Sequence, residues 1–289
     1  GQETVVTETS TADPVHPLEN SIFHPEELFP GWLTYTWSVT KGADLSWVPI
    51  PFEESMRLDY GRTMYGTGYF MLWKVVPGIE HLSKPIVSCN RYREPTKPML
   101  DAIGRAGTDI APTGKEVSRH EGKLSFAPHE ARTVWQSNFG STMIRRIAFS
   151  VPEADAAALA KARLRITWDD RREPSVDAPL GLFFGTGSLL RDEDQEYIVK
   201  SFPMTVKYEE GRFLFATYFP MPFHRSARIE LTNTTGDEIR DIEWQVRSVP
   251  YTDPPNHVGY FHATYRDFPN PQPGKDLELL DTRTVEGGG

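Results

Sequence analysis

Residues 163–184 read RLRITWDDRREPSVDAPLGLFF, and residues 213–231 read FLFATYFPMPFHRSARIEL. In the first stretch Leu164, Ile166 and Trp168 alternate with Arg163, Arg165 and Thr167. A period of two is the pattern of a strand with one face in the core and one in water. Asp169–Glu173 then forms a polar turn. Pro174 and Pro179 bracket a short extended piece, because proline fixes φ and disfavours helix at the residue before it. Leu182, Phe183 and Phe184 give an apolar landing closed by Gly185. In the second stretch Ala227–Leu231 alternate again and end at the turn signal Asn233–Gly236, and the residues between the two stretches read as a variable loop. Short strands joined by Pro and Gly corners predict an all-β protein, a β-sandwich.

Upstream, Arg132–Phe139 and Thr142–Phe149 predict strands on either side of Gly140. Ser150, three residues before Glu153, reads as a capping box that opens an alanine-rich helix over about 151–161, the one convincing helix in the sequence. The glycine-rich polar stretch 101–122 reads as loop or linker. Further strand-like runs are Leu33–Val39, Tyr69–Val76 and Ile86–Cys89. Trp47–Phe52 is extended, Pro25–Leu28 is a candidate helical turn, and Arg91–Lys97 is a basic loop. Downstream, Ile242, Trp244 and Val246 alternate with polar neighbours, Tyr260–Tyr265 predicts a strand, and Leu277–Asp281 could begin another. The resulting division is an N-terminal arm (1–30), a β-rich segment (31–125) and a sandwich (126–289).

Composition narrows the function classes. The chain has 289 residues and a net charge of −9, from 31 basic against 40 acidic residues. No cluster of Lys or Arg offsets that balance, so a nucleic-acid partner is not expected. No apolar run reaches the roughly 20 residues of a membrane span. Cys89 is the single cysteine, which excludes a disulfide framework or a Cys-based zinc site within the chain. Aromatic residues make up 12 % of the sequence, which suits a sandwich core and equally a sugar-stacking surface.

The candidate binding residues fall in several places. Asp169, Asp170, Glu173 and Asp177 are the densest carboxylates at a strand end. They read as sugar-hydroxyl binders, as a structural calcium site, or as a solvated turn bonding its own backbone. Asp192–Asp194 reads as a loop without calcium-loop spacing. His224 and Arg225 follow Pro222–Phe223 among aromatic rings and suit hydroxyl binding as well as a strand edge. Arg145 and Arg146 are adjacent on a strand, so by alternation at most one, Arg146, faces a pocket. Arg62 and Tyr65, in the glycine-rich run 59–68, form another candidate binding loop. His257 and His262 are not spaced as a zinc pair, and no metal site is expected from motif. Asn233-Thr-Thr fits a glycosylation sequon. No Gly-x-Ser-x-Gly elbow supports a serine hydrolase.

The segments IRRIAF (144–149), LRITWDDRREPSVDAPLGLFFG (164–185), YFPMPFHRSARIELTN (218–233), GYFHATYRDF (259–268), GKDLELLDT (274–282) and EGGG (286–289), in this order, resemble glycoside hydrolase family 172, also described as domain of unknown function 2961. The resemblance covers about residues 130–289. It implies a double jelly roll, trimeric or hexameric assembly, and retaining hydrolysis of furanosides such as α-D-fructofuranosides or D-arabinofuranosides. The family's two catalytic glutamates lie in segments resembling GEG and GTEDYF, and neither occurs here. The expectation is therefore the scaffold and pocket-wall half of a furanosidase, with one jelly roll and part of a second on this chain. A complementary C-terminal chain would carry the acidic pair. Arg62, Tyr65, Arg146, Asp170, His224 and Arg225 are the substrate-binding candidates. Gly1 and Gln2 could follow a removed signal peptide, which makes an extracellular or periplasmic setting the expectation. The alternatives are a non-catalytic jelly-roll structural protein and a carbohydrate-binding module.

Overall fold

The computed structural model describes residues 23, 26, 29–40, 43–59, 70–74, 86–88, 97–255 and 258–279. The chain divides into two compact units, Gly1–Ile103 and Gly104–Gly289.

In the first unit, β1 (Thr34–Tyr35) pairs antiparallel with β2 (Leu45–Ser46), and α1 (Trp37–Thr40) lies between them. The Thr34 hydroxyl donates to the carbonyls of Phe29 (3.2 Å) and Pro30 (3.1 Å), tying the entry of β1 to the preceding turn. Only Thr34–Tyr35 of the expected Leu33–Val39 strand is extended, because the chain turns into α1 at Trp37. Residues 70–74 and 86–88 carry no strand either, so the apolar runs expected to be strands there are irregular where they are described. Apolar character without cross-strand partners does not make a sheet. Ser88 donates its hydroxyl and its N–H to the Glu53 carboxylate, at 2.9 and 3.1 Å. α2 (Lys97–Gly104) begins where a basic loop was expected and ends inside the expected linker 101–122.

The second unit contains β3 (Ser118–Phe126), β4 (Ala131–Ser137), β5 (Thr142–Pro152), α3 (Glu153–Lys161), β6 (Arg163–Trp168), β7 (Val176–Pro179), α4 (Leu180–Phe183), β8 (Tyr197–Lys200), β9 (Met204–Glu209), β10 (Arg212–Thr217), β11 (Met221–Phe223), β12 (Ala227–Thr232), β13 (Ile239–Pro250) and β14 (Ala263–Thr264). A seven-stranded sheet runs β3-β13-β5-β10-β9-β8, with β11 added to the free half of β5. A five-stranded sheet runs β14-β7-β6-β12-β4. The described pairings are antiparallel except β14 with β7. This is the all-β sandwich expected from the alternating strands.

The core lies between the sheets. Leu164, Ile166 and Trp168 from β6 meet Ile144, Ile147, Phe149 and Val151 from β5 and Phe213 and Phe215 from β10, all buried. The Trp168 ring stacks on Phe223, with centroids 6.2 Å apart and planes at 10°. Trp135 meets the same Phe223 edge-on. Burying a ring of this size is worth roughly 4–5 kcal/mol at about 25 cal/mol per Å². The hydrophobic set on β6 is thus held in one register against the opposite sheet.

Several sequence expectations need correction. Ser150 does not cap a helix. It is a β5 residue paired with Leu214 and Glu243, and its hydroxyl accepts from Arg212 Nε at 2.9 Å. α3 begins after Pro152 with no side-chain cap, favoured instead by Glu153 and Asp155 in its first turn and Lys161 in its last. It is not the sole helix, since α2 and the one-turn α4 also form. The variable loop contains β8 and β9. The β9–β10 hairpin closes through Glu210 and Gly211, both at positive φ (50° and 79°), the geometry a two-residue hairpin turn demands. The expected strand Tyr260–Tyr265 shrinks to β14, and residues 277–279 carry none.

The alternation rule fails at Arg145–Arg146. β5 pairs Arg146 with Arg247 and Ile144 with Ser248, so Arg145 is an extra residue, a β-bulge. Ile144 and Ile147 both sit in the core, and both arginines between them lie off the core face.

Candidate functional site

At one end of the sandwich the chain crosses from one sheet to the other. β11 ends at Phe223 and β12 begins at Ala227, leaving His224, Arg225 and Ser226 as the corner. Opposite them is the turn after β6. Asp169 there is buried, at 5 % exposure, and takes a positive φ of 52°. Its carboxylate accepts the backbone N–H groups of His224 (3.0 Å), Arg225 (2.6 Å) and Ser226 (3.0 Å), and the Tyr260 hydroxyl at 2.6 Å. A chain that switches sheets leaves unpaired N–H groups at the corner, and a buried carboxylate satisfies them.

Burial pushes the Asp169 carboxyl up, but the bonds from Tyr260 and from residues 224–226 outweigh it and hold the group below the ordinary aspartate value. Burial, and then the bond to Asp169, push the Tyr260 phenol up. The turn is thus a solvated one only in part. Asp169 does bond backbone, but backbone more than fifty positions away rather than its own. The lone pairs a calcium ion would need are occupied by donors. Asp177 is likewise engaged, with Arg163 (2.5 Å) and Arg165 (3.3 Å). Among the described residues no group of three or more His, Cys, Asp or Glu side chains converges as a metal site.

Around this anchor the surface is open. Asp170 is exposed and accepts from the Ser226 hydroxyl at 2.8 Å. Arg225 is exposed, and one of its terminal nitrogens donates to the Asp169 carbonyl at 2.9 Å. The His224 ring lies beside Tyr251 (6.0 Å) and Tyr260 (5.9 Å), and Arg171 covers the Tyr260 face at 4.4 Å. The β4–β5 loop closes the corner. Ser141 donates its N–H to the His224 carbonyl (3.2 Å), and Tyr251 donates its own to the Ser141 carbonyl (2.7 Å).

The structure therefore brings together Asp170, His224 and Arg225 of the sequence-proposed residues. Arg146 joins a different set, on the outer face of the seven-stranded sheet. There it pairs with Asp109 and donates to Gln245, while Arg247 holds the same Asp109 with both terminal nitrogens. Arg62, Tyr65, His257 and Cys89 lie outside the described residues. Sequence reasoning missed Tyr251, Tyr260, Arg171 and the loop residue Phe139. The proline-rich run at 250–255 followed by Gly259-Tyr260 was a usable sign of a folded-back segment. Asn233 is buried, and its amide donates to the carbonyls of Ala127 (3.0 Å) and Asp237 (2.7 Å), so the sequon is a structural turn.

Residues 116–246 match the family model described as GH172 domain-like. That stretch, a little under half of the chain, is similar to the GH172 family. The similarity points to a glycoside hydrolase-related function. No curated protein matches the chain. The matched span of the GH172-like domain includes the corner residues Asp169, Asp170, His224 and Arg225. Tyr251 and Tyr260 lie beyond it, so the tyrosine side of the corner comes from sequence that follows the match. No helix among the described residues is long and apolar enough to cross a membrane.

Proposed function

We propose that the GH172-like domain is the scaffold and pocket wall of a furanoside hydrolase, with the corner around Asp170, His224 and Arg225 contacting the sugar. The observation that carries this reading is the family match over residues 116–246 together with the gathering of those side chains at one sheet crossing. Retaining glycosidases require a carboxyl pair roughly 5 Å apart, one member protonated at working pH. Asp169 is poorly suited to either role, since its lone pairs are filled and its carboxyl is held ionised. Each described carboxylate with a displaced pKa (Glu53, Glu121, Glu130, Asp169, Asp241) is displaced downward, opposite to the need of a general acid. The reading assigns the acid pair to a complementary polypeptide segment, as the family resemblance implies. A trimeric or hexameric jelly-roll assembly in an extracellular or periplasmic setting belongs to the same proposal.

The test is release of fructose or arabinose from nitrophenyl furanosides. Turnover is expected with the acid-bearing segment present and lost when its glutamates become glutamine. Turnover by this chain alone, or persisting after that change, would reject the reading. The filled coordination of Asp169 also favours a second reading, a carbohydrate-binding module, which predicts glycan binding by this chain without cleavage under any pairing.

A further inference from the structure

We propose that Phe139, on the loop whose backbone packs against His224 and Arg225, is a stacking platform for one neutral sugar residue bearing vicinal hydroxyls. This rests on the carbohydrate reading of the corner and names what the corner takes. The first observation is exposure. Phe139 is 84 % exposed at the tip of the β4–β5 loop. A single exposed aromatic is unremarkable on a mobile tip, but this tip is fastened. A Cβ at Gly140 would lie 2.2 Å from the His224 carbonyl oxygen, so the two backbones are in direct contact. Ser141 holds a positive φ of 51° and bonds the same carbonyl. Phe139 N–H donates to the Ser137 hydroxyl (3.2 Å), and the Thr142 hydroxyl donates to the Phe139 carbonyl (3.2 Å).

The second observation is what lies beside it. The Gly140 contact extends to the Arg225 backbone, so the ring and the guanidinium stand on adjoining pieces of chain. The exposed Arg225 guanidinium donates to the Asp169 carbonyl through one terminal nitrogen, leaving its other donors toward solvent. Asp170 sits one residue further along that turn and is bridged to Ser226. A preordered apolar face with a donor fork and an acceptor carboxylate nearby matches a sugar ring, whose C–H face stacks while adjacent hydroxyls donate and accept. The charges of Arg225 and Asp170 offset one another, which favours a neutral sugar over a uronate.

The test is binding of arabino-oligosaccharides and inulin-type fructo-oligosaccharides to the full chain by titration calorimetry, with a galacturonate oligomer for comparison. Wild type is expected to bind a neutral oligosaccharide. Phe139→Ala should weaken it about tenfold and Arg225→Gln by a similar factor, while Phe139→Trp retains it. Melting temperatures of these variants should stay with wild type, since both side chains are exposed. Undiminished binding by Phe139→Ala, preference for the galacturonate, or no binding by wild type would each overturn the platform. Phe139-dependent binding without furanoside cleavage by any assembly would leave the platform standing and reject the hydrolase reading instead.

Discussion

The carboxylate of Asp169 and the hydroxyl of Tyr260, 91 positions apart in sequence, lie 2.6 Å from one another and close the corner where the chain changes sheets. Because the folded Asp169 titrates below its unfolded value, its bonds stabilise the fold fully above about pH 4 and lose that contribution as pH falls through the folded value. Asp169→Asn keeps the shape but cannot accept the same set of donors at full strength. It should cost about 3 kcal/mol at neutral pH. Denaturant titrations between pH 3 and 7 should show a shallower acid-side decline for the variant than for wild type. Equal slopes would mean the carboxylate is not the titrating anchor.

Gly140 admits no side chain. An alanine there would drive its Cβ into the His224 carbonyl. Backbone cannot yield as a flexible side chain does, so Gly140→Ala should destabilise the fold by about 2 kcal/mol or displace the β4–β5 loop. Thermal unfolding measures the first outcome. Amide shifts confined to residues 138–142 and 224–226 would report the second.

Asp109 meets two arginines, Arg146 and Arg247, whose side chains are about nine-tenths buried. Removing one member of such a cluster leaves buried positive charge without a counter-charge, a change costing about 3 kcal/mol or more. Asp109→Asn should raise hydrogen exchange in residues 105–117 before it raises exchange in β5. Exchange unchanged in that loop would show the cluster does not hold it.

Asn233 offers a simple chemical check. Its amide nitrogen is already committed to Ala127 and Asp237. Protein secreted from a glycosylating host should therefore have the unmodified mass at this sequon, and Asn233→Ala should lower stability by about 2 kcal/mol. A glycan found on Asn233 would contradict the turn.

The alternation of Leu164, Ile166 and Trp168 and of Ala227–Leu231 was enough to read a sandwich, since each strand there has one wet face and one dry. β8 was not legible because Tyr197–Lys200 has no clean period, whereas β9 does alternate, Met204, Val206 and Tyr208 against Thr205, Lys207 and Glu209, a signal that reading the whole stretch as loop passed over. Tyr69–Val76 misled in the opposite direction, since its described part, residues 70–74, is largely apolar yet forms no strand. Of the corner, Asp170, His224 and Arg225 were visible as polar residues among rings and turns. Tyr251, Tyr260 and Phe139 were not, because their proximity depends on a crossing between sheets that no local pattern encodes. The Ser150 box failed for a related reason. Its residues fit a cap, but a central strand had already claimed them.

The extra residue at Arg145 fixes the parity of β5. On its two sides the strand runs out of phase, so that β11 can join one half and β10 the other with apolar side chains still turned inward. Deleting Arg145 or Arg146 would remove the bulge and leave Ile144 and Ile147 two positions apart, both still facing the core. A transplanted segment of the same length that alternates without a break through 144–147 would instead arrive with one half of the strand turned away from the core.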